Sequence, residues 1–104
     1  MAQTSLVKAF HALSDPLRIQ IIETLRHQEC CVQDLCEKLE IGQSKISFHL
    51  RVLKESEILR SRPQGRWMYY SLNLVQIVAL EQQLADYRCD VFSEQSVPQK
   101  QVSG

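Results

Sequence analysis

The chain of 104 residues carries no formal net charge and is long enough for one domain with one hydrophobic core, but too short for two. It has no run of eighteen or more apolar residues, and its first ten residues lack a cationic segment followed by an apolar stretch, which argues against a membrane span and a secretory signal. We therefore expect a single cytoplasmic domain with no membrane partner.

Two helices separated by a short break are predicted at the start of the chain. Apolar residues recur at helical spacing over residues 6–13. The Ser-Asp-Pro sequence at 14–16 then predicts the end of one helix and the start of another, with Ser14 or Asp15 as N-cap and the proline in the first turn. The second helix is expected to run to about Arg26. The apolar positions are Leu6, Phe10 and Leu13, then Leu17, Ile21, Ile22 and Leu25.

A short third helix and a fourth helix form a helix-turn-helix pattern. The third stops near Gly42, and the fourth begins at about Ser44. Outward side chains of the fourth helix can hydrogen-bond to bases or phosphates, supply charge, or meet a thymine methyl group in the major groove. His49 lies near the inner side and is expected to be buried. The predicted DNA contacts here are Gln43, Ser44, Lys45, Ser47, Phe48 and Arg51, and the predicted core positions are Ile46, Leu50 and Leu53.

A two-stranded β-hairpin is predicted in the next stretch, ILRSRPQGRWMYYSL. Gln64 and Gly65 separate its strands, and Arg62 and Arg66 flank this turn, where they can reach phosphates or a minor groove. Trp67 and at least one of the tyrosines after it are expected to pack the strands against a helix. The hairpin therefore has the character of a DNA-binding wing, with Arg62, Gln64 and Arg66 as its predicted contacts.

The charge distribution supports a nucleic-acid partner. Residues 43–70 carry six basic side chains against Glu55 and Glu57, so this third of the chain has a charge of +4 and the remainder has −4. The predicted helix-turn-helix and wing thus coincide with a basic region of a neutral chain.

The last helix is predicted over residues 74–91, after Asn73 as N-cap. Its apolar residues step by three and four, a seam that needs a partner, so we expect a homodimer formed through this helix and the first helix. Packing of the seam on the chain's own core is the alternative. The polar tail is expected to be disordered, so the domain covers residues 1–92 and the tail 93–104. The predicted dimer contacts are Leu6, Phe10, Ile77, Leu80, Leu84 and Tyr87.

Over about residues 5–90 the sequence resembles the ArsR/SmtB family of metal-sensing repressors. ALSDPLRIQIIETL is similar to the family's second helix, KISFHLRVLKES to its recognition helix, and RPQGRWMYYSL to its wing. The resemblance implies a mainly α fold with a small β-hairpin, in which four helices, the hairpin and a fifth helix form a winged helix-turn-helix. It also implies a homodimer that represses a resistance operon by binding double-stranded operator DNA, and that leaves the operator when an inducer binds.

Three thiols lie within ECCVQDLC, residues 29–36. Adjacent cysteines bridge poorly, and clustered thiols in a reducing compartment more often serve metal or redox chemistry than structure. In the arsenic-sensing branch of the family, this stretch resembles Glu-Leu-Cys-Val-Cys-Asp-Leu-Cys. Cys31 and Cys36 match the first and last of those thiols, whereas Gln33 replaces the middle one and Cys30 stands where the family has leucine. The resemblance implies As(III) or Sb(III) as inducer, which favour three thiolates, and no organic cofactor.

Two residues are candidates for the third sulfur ligand. Cys30 is favoured over Cys89 because closing a short loop costs less entropy than ordering a distant segment, and two thiols with an outside ligand are a further alternative. In a regular helix Cys31 and Cys36 would point about 140° apart. We therefore expect inducer binding to unwind the first turn of the third helix and so disturb the recognition helix.

Other functions stay open on the sequence. Cys89 could bridge with Cys30 or Cys31 in a persulfide or redox response, and Cys31 with Asp34 could hold cadmium, lead or zinc, although the last helix has no histidine. Cys36 could be a small core residue, and the winged helix could bind protein. A thiol enzyme is not expected, because the chain has no Cys-x-x-Cys, glycine-rich phosphate loop or βαβ pattern.

Overall fold

The fold consists of five helices and a small antiparallel sheet in the part of the chain that the computed structural model describes, namely the backbone of residues 2–95 and the side chains of residues 5–89. Within this part, no helix is long and apolar enough to cross a bilayer. The elements in chain order are α1 (Ala2–Ala12), α2 (Pro16–Leu25), β1 (Cys30–Cys31), α3 (Val32–Leu39), α4 (Gln43–Glu55), β2 (Leu59–Gln64), β3 (Trp67–Leu72) and α5 (Leu74–Gln95).

The break between α1 and α2 forms as the Ser-Asp-Pro sequence predicts. Asp15, rather than Ser14, is the N-cap of α2, and its side chain accepts hydrogen bonds from the backbone N–H groups of Leu17 (2.8 Å) and Arg18 (3.2 Å). Pro16 is the first helical residue, where the missing N–H costs nothing because no carbonyl is available to accept it. The cap therefore sets the direction of α2.

The helix-turn-helix is formed by α3 and α4, which are joined by residues 40–42. Glu40 ends α3 in the left-handed conformation (φ 58°), and Gly42 in extended conformation (φ −66°, ψ 156°) is the N-cap of α4. The inner face of α4 is buried, including His49 as expected. One core holds these helices together, and its buried residues are Ala9, Ala12, Ile21, Leu25, Cys30, Leu35, Ile46, Leu50, Leu53, Ile58, Leu59 and Leu80.

The sheet has three strands, whereas the sequence predicted two. The additional strand is β1, in which Cys30 and Cys31 pair with Tyr70 and Tyr69 of β3, so that β3 lies between β1 and β2. A strand of two residues is too short to show an alternating pattern, which explains why the sequence did not reveal it. Since successive side chains of a strand point to opposite faces, this pairing directs the two adjacent thiols apart.

The hairpin turn lies one residue later than predicted. Gln64 pairs with Trp67, so Gly65 and the arginine after it form the turn. Gly65 has φ 63°, and a glycine at the first central position is what a type II′ hairpin turn requires. The expectation that Trp67 packs against a helix is wrong, since 46% of its surface is exposed, whereas Tyr70 does pack against the core.

The predicted dimer seam on α5 divides into a buried part and an exposed part. Leu80 belongs to the chain's own core, where Leu6 and Phe10 of α1 also pack, so the intramolecular alternative is correct for these three residues. Leu84 and Tyr87 are each more than half exposed. One end of the predicted seam therefore packs in the chain's own core, and the other end is exposed, where a second subunit can contact it.

The end of α5 extends beyond its predicted limit. The helix continues to Gln95, so residues 93–95, assigned to the disordered tail by the sequence, are helical. Residues 96–104 of the predicted tail lie outside the described residues. The proposed division at residue 92 therefore falls within a helix.

We expect Leu53→Ala to lower the free energy of unfolding by about 2–5 kcal/mol, because the side chain is fully buried and its loss leaves a cavity. Urea denaturation measures this loss, with all variants compared at one protein concentration because the apparent stability of an oligomer depends on concentration. Ile19→Ala is the control, because that helical residue is 40% exposed and an exposed site should cost about 0.5 kcal/mol or less. Equal losses in the two variants would contradict this description of the core.

Candidate metal centre and nucleic-acid interface

The outer face of α4 presents the polar and basic side chains that the sequence assigned to DNA. Gln43, Ser44, Lys45, Phe48 and Arg51 are exposed, and Ser47 is half-buried. The guanidinium of Arg51 lies over the Phe48 ring, 5.6 Å from its centroid. The same packing that buries the inner face of α4 therefore leaves a continuous outer surface that is suited to a major groove.

The wing presents Gln64 and Arg66 to solvent, but it holds Arg62 in an intramolecular ion pair. The Arg62 guanidinium donates two hydrogen bonds to the Glu29 carboxylate (2.6 and 2.8 Å) and one to Gln64 Oε1 (2.6 Å), and it lies over the ring of Tyr69 at 5.5 Å. Glu29 immediately precedes β1. This partner could not be predicted from local patterns, because 33 residues separate it from Arg62 and only the pairing of β1 with β3 brings the two together.

The ion pair has an electrostatic signature. The hydrogen bonds from Arg62 lower the pKa of Glu29 below its ordinary value of 4.5, despite an opposing effect of partial desolvation. A carboxyl group with a lowered pKa stabilises the folded state above its ordinary pKa, and this stabilisation is lost as pH falls through the lowered value. The ion pair is therefore intact at neutral pH, where the negative charge of Glu29 neutralises the positive charge of Arg62.

Cys31 and Cys36 line one open cavity of about 530 Å³. The cavity is bounded by α3, by the turn of the helix-turn-helix, by the first residue of α4 and by the hairpin end of the wing. It thus lies among all the elements that the sequence assigned to DNA recognition. Besides the two cysteines, its lining residues are Val32, Gln33, Ile41, Gly42, Gln43, Arg66, Trp67 and Met68.

Cys31 lies before α3 and not within it. The residue is the N-cap, with extended backbone (φ −89°, ψ 175°), and its N–H donates to the Asp34 carboxylate at 3.1 Å. The 140° separation expected for two cysteines of a regular helix therefore does not apply. This corrects the premise of the predicted unwinding, namely that both cysteines belong to a regular helix, and both residues line one cavity.

The structure does not bring Cys30 to this cavity. Its side chain has no exposed surface, and its thiol lies 3.8 Å from the carbonyl oxygen of Gln28. Burial, followed by the charge of Asp34, raises the pKa of the Cys30 thiol, which disfavours the thiolate that a soft ion needs. Cys89 is an exposed residue of α5 and does not line the cavity either. Within residues whose side chains are described, no three His, Cys, Asp or Glu residues are grouped so as to hold a metal ion.

Residues 15–61 match the family model described as bacterial regulatory protein, arsR family. An arsenical resistance operon repressor of Bacillus subtilis is 36% identical over 84 residues, which cover 80% of this chain and 77% of the relative. A transcriptional repressor SmtB homolog of Synechocystis is 36% identical over 75% of this chain and 59% of its own length. A cadmium resistance regulatory protein CadC homolog of Staphylococcus aureus is 40% identical over 64% and 55%. The chain therefore spans less than two thirds of some of these relatives.

Solved structures agree with this fold. An ArsR-like transcriptional regulator from Rhodococcus superposes with a TM-score of 0.75 at 22% identity, covering 94% of this chain and 96% of that one. The homodimeric winged helix-turn-helix DNA-binding domain of a Mycobacterium bovis protein superposes with a TM-score of 0.67 at 24% identity, covering 81% of each. At these identities the likeness establishes the winged helix-turn-helix fold.

Native alkylation by iodoacetamide should modify Cys36 at least about tenfold faster than Cys30, because the thiolate is the nucleophile and burial suppresses it at Cys30. Tandem mass spectrometry of timed samples locates the modified cysteine. In urea the two rates should become similar. Fast alkylation of Cys30 in the folded protein would show that its side chain leaves the core.

Proposed function

Because the chain belongs to the arsR family of bacterial regulatory proteins, which are DNA-binding transcriptional regulators and not enzymes, we propose that it represses a metalloid-resistance operon and leaves its operator when As(III) or Sb(III) binds Cys31 and Cys36. The proposed DNA contacts are those of α4 and the wing, and the proposed site of action is the cytoplasm. The observation that carries the proposal is the cavity in which both thiols lie beside the first residue of α4 and the hairpin end of the wing.

Thiolate chemistry supports a soft acceptor in this cavity. Trivalent arsenic and antimony bind thiolates in preference to oxygen donors. Gln33 of α3 lines the cavity together with the two cysteines, but its side chain offers an amide instead of a thiolate. Two protein sulfurs leave one of three coordination positions to a small outside ligand, such as hydroxide or a free thiol. We therefore favour the two-thiol alternative over a site completed by Cys30, which would have to leave the core.

The position of the cavity suggests how binding could lower operator affinity. An ion held by Cys31 and Cys36 pulls the end of β1 toward α3, and β1 is joined to the wing through β3. The turn of the helix-turn-helix and Gln43 form another wall of the same cavity. A shift of a few tenths of an ångström there changes how α4 and the wing fit the DNA together, which is the differential binding that release requires.

A homodimer is part of the proposal. Exposed apolar residues lie on α1 and α5, where an isolated subunit would leave them in water, and a second subunit can cover them. The homodimeric Mycobacterium bovis domain with the same fold supports this arrangement. The exposed residues are Val7 on α1 and Leu74, Val75, Val78, Leu84 and Tyr87 on α5.

A divalent-metal response is the second candidate, and the cadmium-resistance relative supports it. The Asp34 carboxylate already accepts the N–H of Cys31, and among the described residues it is not grouped with Cys31 and Cys36 so as to hold a metal ion. In a redox response, a bridge from Cys89 to Cys30 would require Cys30 to leave the core, and a bridge to Cys31 would require Cys89 to reach a cavity that it does not line. We favour the metalloid because it needs none of these rearrangements.

Cys31→Ser and Cys36→Ser should keep promoter-DNA binding and require at least about tenfold more arsenite for release, because each removes one sulfur ligand. Cys30→Ala and Cys89→Ser should respond as the unaltered protein does. Fluorescence anisotropy of labelled promoter DNA measures binding and release. Failure of Cys89→Ser alone to respond would move the site to α5, and failure of Cys30→Ala would restore the three-cysteine set.

Glu29→Gln should raise the affinity for promoter DNA, since it removes the charge that neutralises Arg62. One additional phosphate contact steepens the slope of log affinity against log salt by about 0.9. The matched control is Glu23→Gln, which removes the same charge from an ion pair with Arg26 (3.0 Å) on α2. If both variants gain the same affinity for DNA, the change in overall charge is responsible and not the release of Arg62.

A further inference from the structure

We propose that the cavity of Cys31 and Cys36 preferentially takes a monosubstituted trivalent arsenical, R–As(OH)₂, in which R is an apolar group. The proposal rests on the proposed function and specifies the class of inducer. It starts from the separation of the adjacent thiols, because Cys31, with 5% of its surface exposed, lines the cavity, whereas Cys30 has no exposed surface and does not.

The number of thiols matches the valence of such a compound. Inorganic As(III) has three exchangeable oxygens, whereas R–As(OH)₂ has two, because the arsenic–carbon bond persists. Each thiol forms one As–S bond and one As–O bond breaks, and the thiol proton leaves with the hydroxide as water. Binding through Cys31 and Cys36 thus releases two waters, fills every exchangeable position, and leaves the oxidation state of arsenic unchanged. Neither a third protein thiol nor an oxidant is needed.

The size and walls of the cavity fit the organic group. A volume of about 530 Å³ is within the range of pockets for small organic ligands and far exceeds the roughly 30 Å³ of one water molecule. Apolar side chains opposite the thiols come from α3, the turn and β3, whereas Arg66 is the charged side chain of the lining. A neutral compound with an apolar substituent matches these walls better than a bare ion. The apolar lining residues are Val32, Ile41, Trp67 and Met68.

Trp67 provides the strongest indication of an aromatic or alkyl substituent. It exposes 46% of its surface and is not among the residues that pack against the hydrophobic core. The indole face of Trp67 at the rim of the cavity offers stacking contacts to a phenyl group. Burial of this exposed surface by the substituent adds affinity that inorganic arsenite cannot obtain.

Direct binding can be measured without DNA, because Trp67 is the single tryptophan of the chain. Its fluorescence should respond to phenylarsonous acid, methylarsonous acid and arsenite at increasing concentrations, with phenylarsonous acid acting at about tenfold lower concentration than arsenite. Native mass spectrometry should show one arsenical bound with loss of two waters, and peptide mapping should place it on Cys31 and Cys36. Adducts that include Cys30 or Cys89, or equal responses to all three compounds, would overturn the proposal.

The role of the apolar wall is tested by Trp67→Ala, with Ile19→Ala as the control at a similarly exposed site outside the cavity. Native mass spectrometry replaces fluorescence for the first variant. Trp67→Ala should reduce the ratio of phenylarsonous to arsenite affinity by several fold, and Ile19→Ala should preserve it. An unchanged ratio in Trp67→Ala would refute the contribution of this wall.

Release of labelled promoter DNA separates this inference from the function on which it rests. Phenylarsonous acid should release the DNA at lower concentration than arsenite. If arsenite acts at the lower concentration, the proposed function stands and the inference fails. If the protein binds the DNA but neither compound releases it, the proposed function fails even where phenylarsonous acid binds the two thiols.

Discussion

The pairing of two residues, Cys30 and Cys31, with β3 is the constraint on which the rest of the site depends. It turns one thiol into the core and the other toward the cavity, although the two are adjacent in sequence. It also joins the segment before α3 to the wing, so that a displacement of the Cys31 thiol is transmitted to the sheet. Without this short strand the three thiols would be an unordered cluster beside a helix-turn-helix.

The same pairing places Glu29 where it reaches Arg62 across the sheet. A wing arginine that is neutralised by the residue preceding the thiol strand does not contribute its full charge to phosphate binding. The pairing thus has an electrostatic consequence for the wing in addition to its geometric one. Because both consequences pass through β1, the thiol segment is physically connected to the charge of the wing, which we propose contacts DNA.

Local chemistry accounts for what the sequence could predict. Asp15 and Pro16 are helix-start signals that act within three residues, and the spacing of Ile46, Leu50 and Leu53 distinguishes the core side of α4 from its exposed side. The number of strands, the environment of Cys30 and the partner of Arg62 depend on contacts between residues distant in sequence, and no local pattern encodes them. The prediction for α5 was partly right for the same reason: heptad-like spacing identifies an apolar seam, but it cannot distinguish Leu80 on the chain's own core from Leu84 on the surface.

If the cavity is the inducer site, as proposed, thermodynamic linkage requires that inducer and operator each weaken the binding of the other. A coupling of about 1–3 kcal/mol between inducer and operator changes each affinity by roughly 5–150-fold, and the DNA must weaken inducer binding by the same factor. An inducer that binds the DNA-bound and DNA-free forms of the protein with equal affinity does not shift the equilibrium between them, however tightly it binds. Under the proposed function, the cavity meets this requirement because α3, the first residue of α4 and the wing line it together, and bound DNA would constrain their relative positions. An inducer that bonds to Cys31 and Cys36 and also packs against Trp67 joins these elements in its own preferred geometry. The larger its contact with the wing, the more its binding depends on where the wing lies, and the more strongly the operator opposes it.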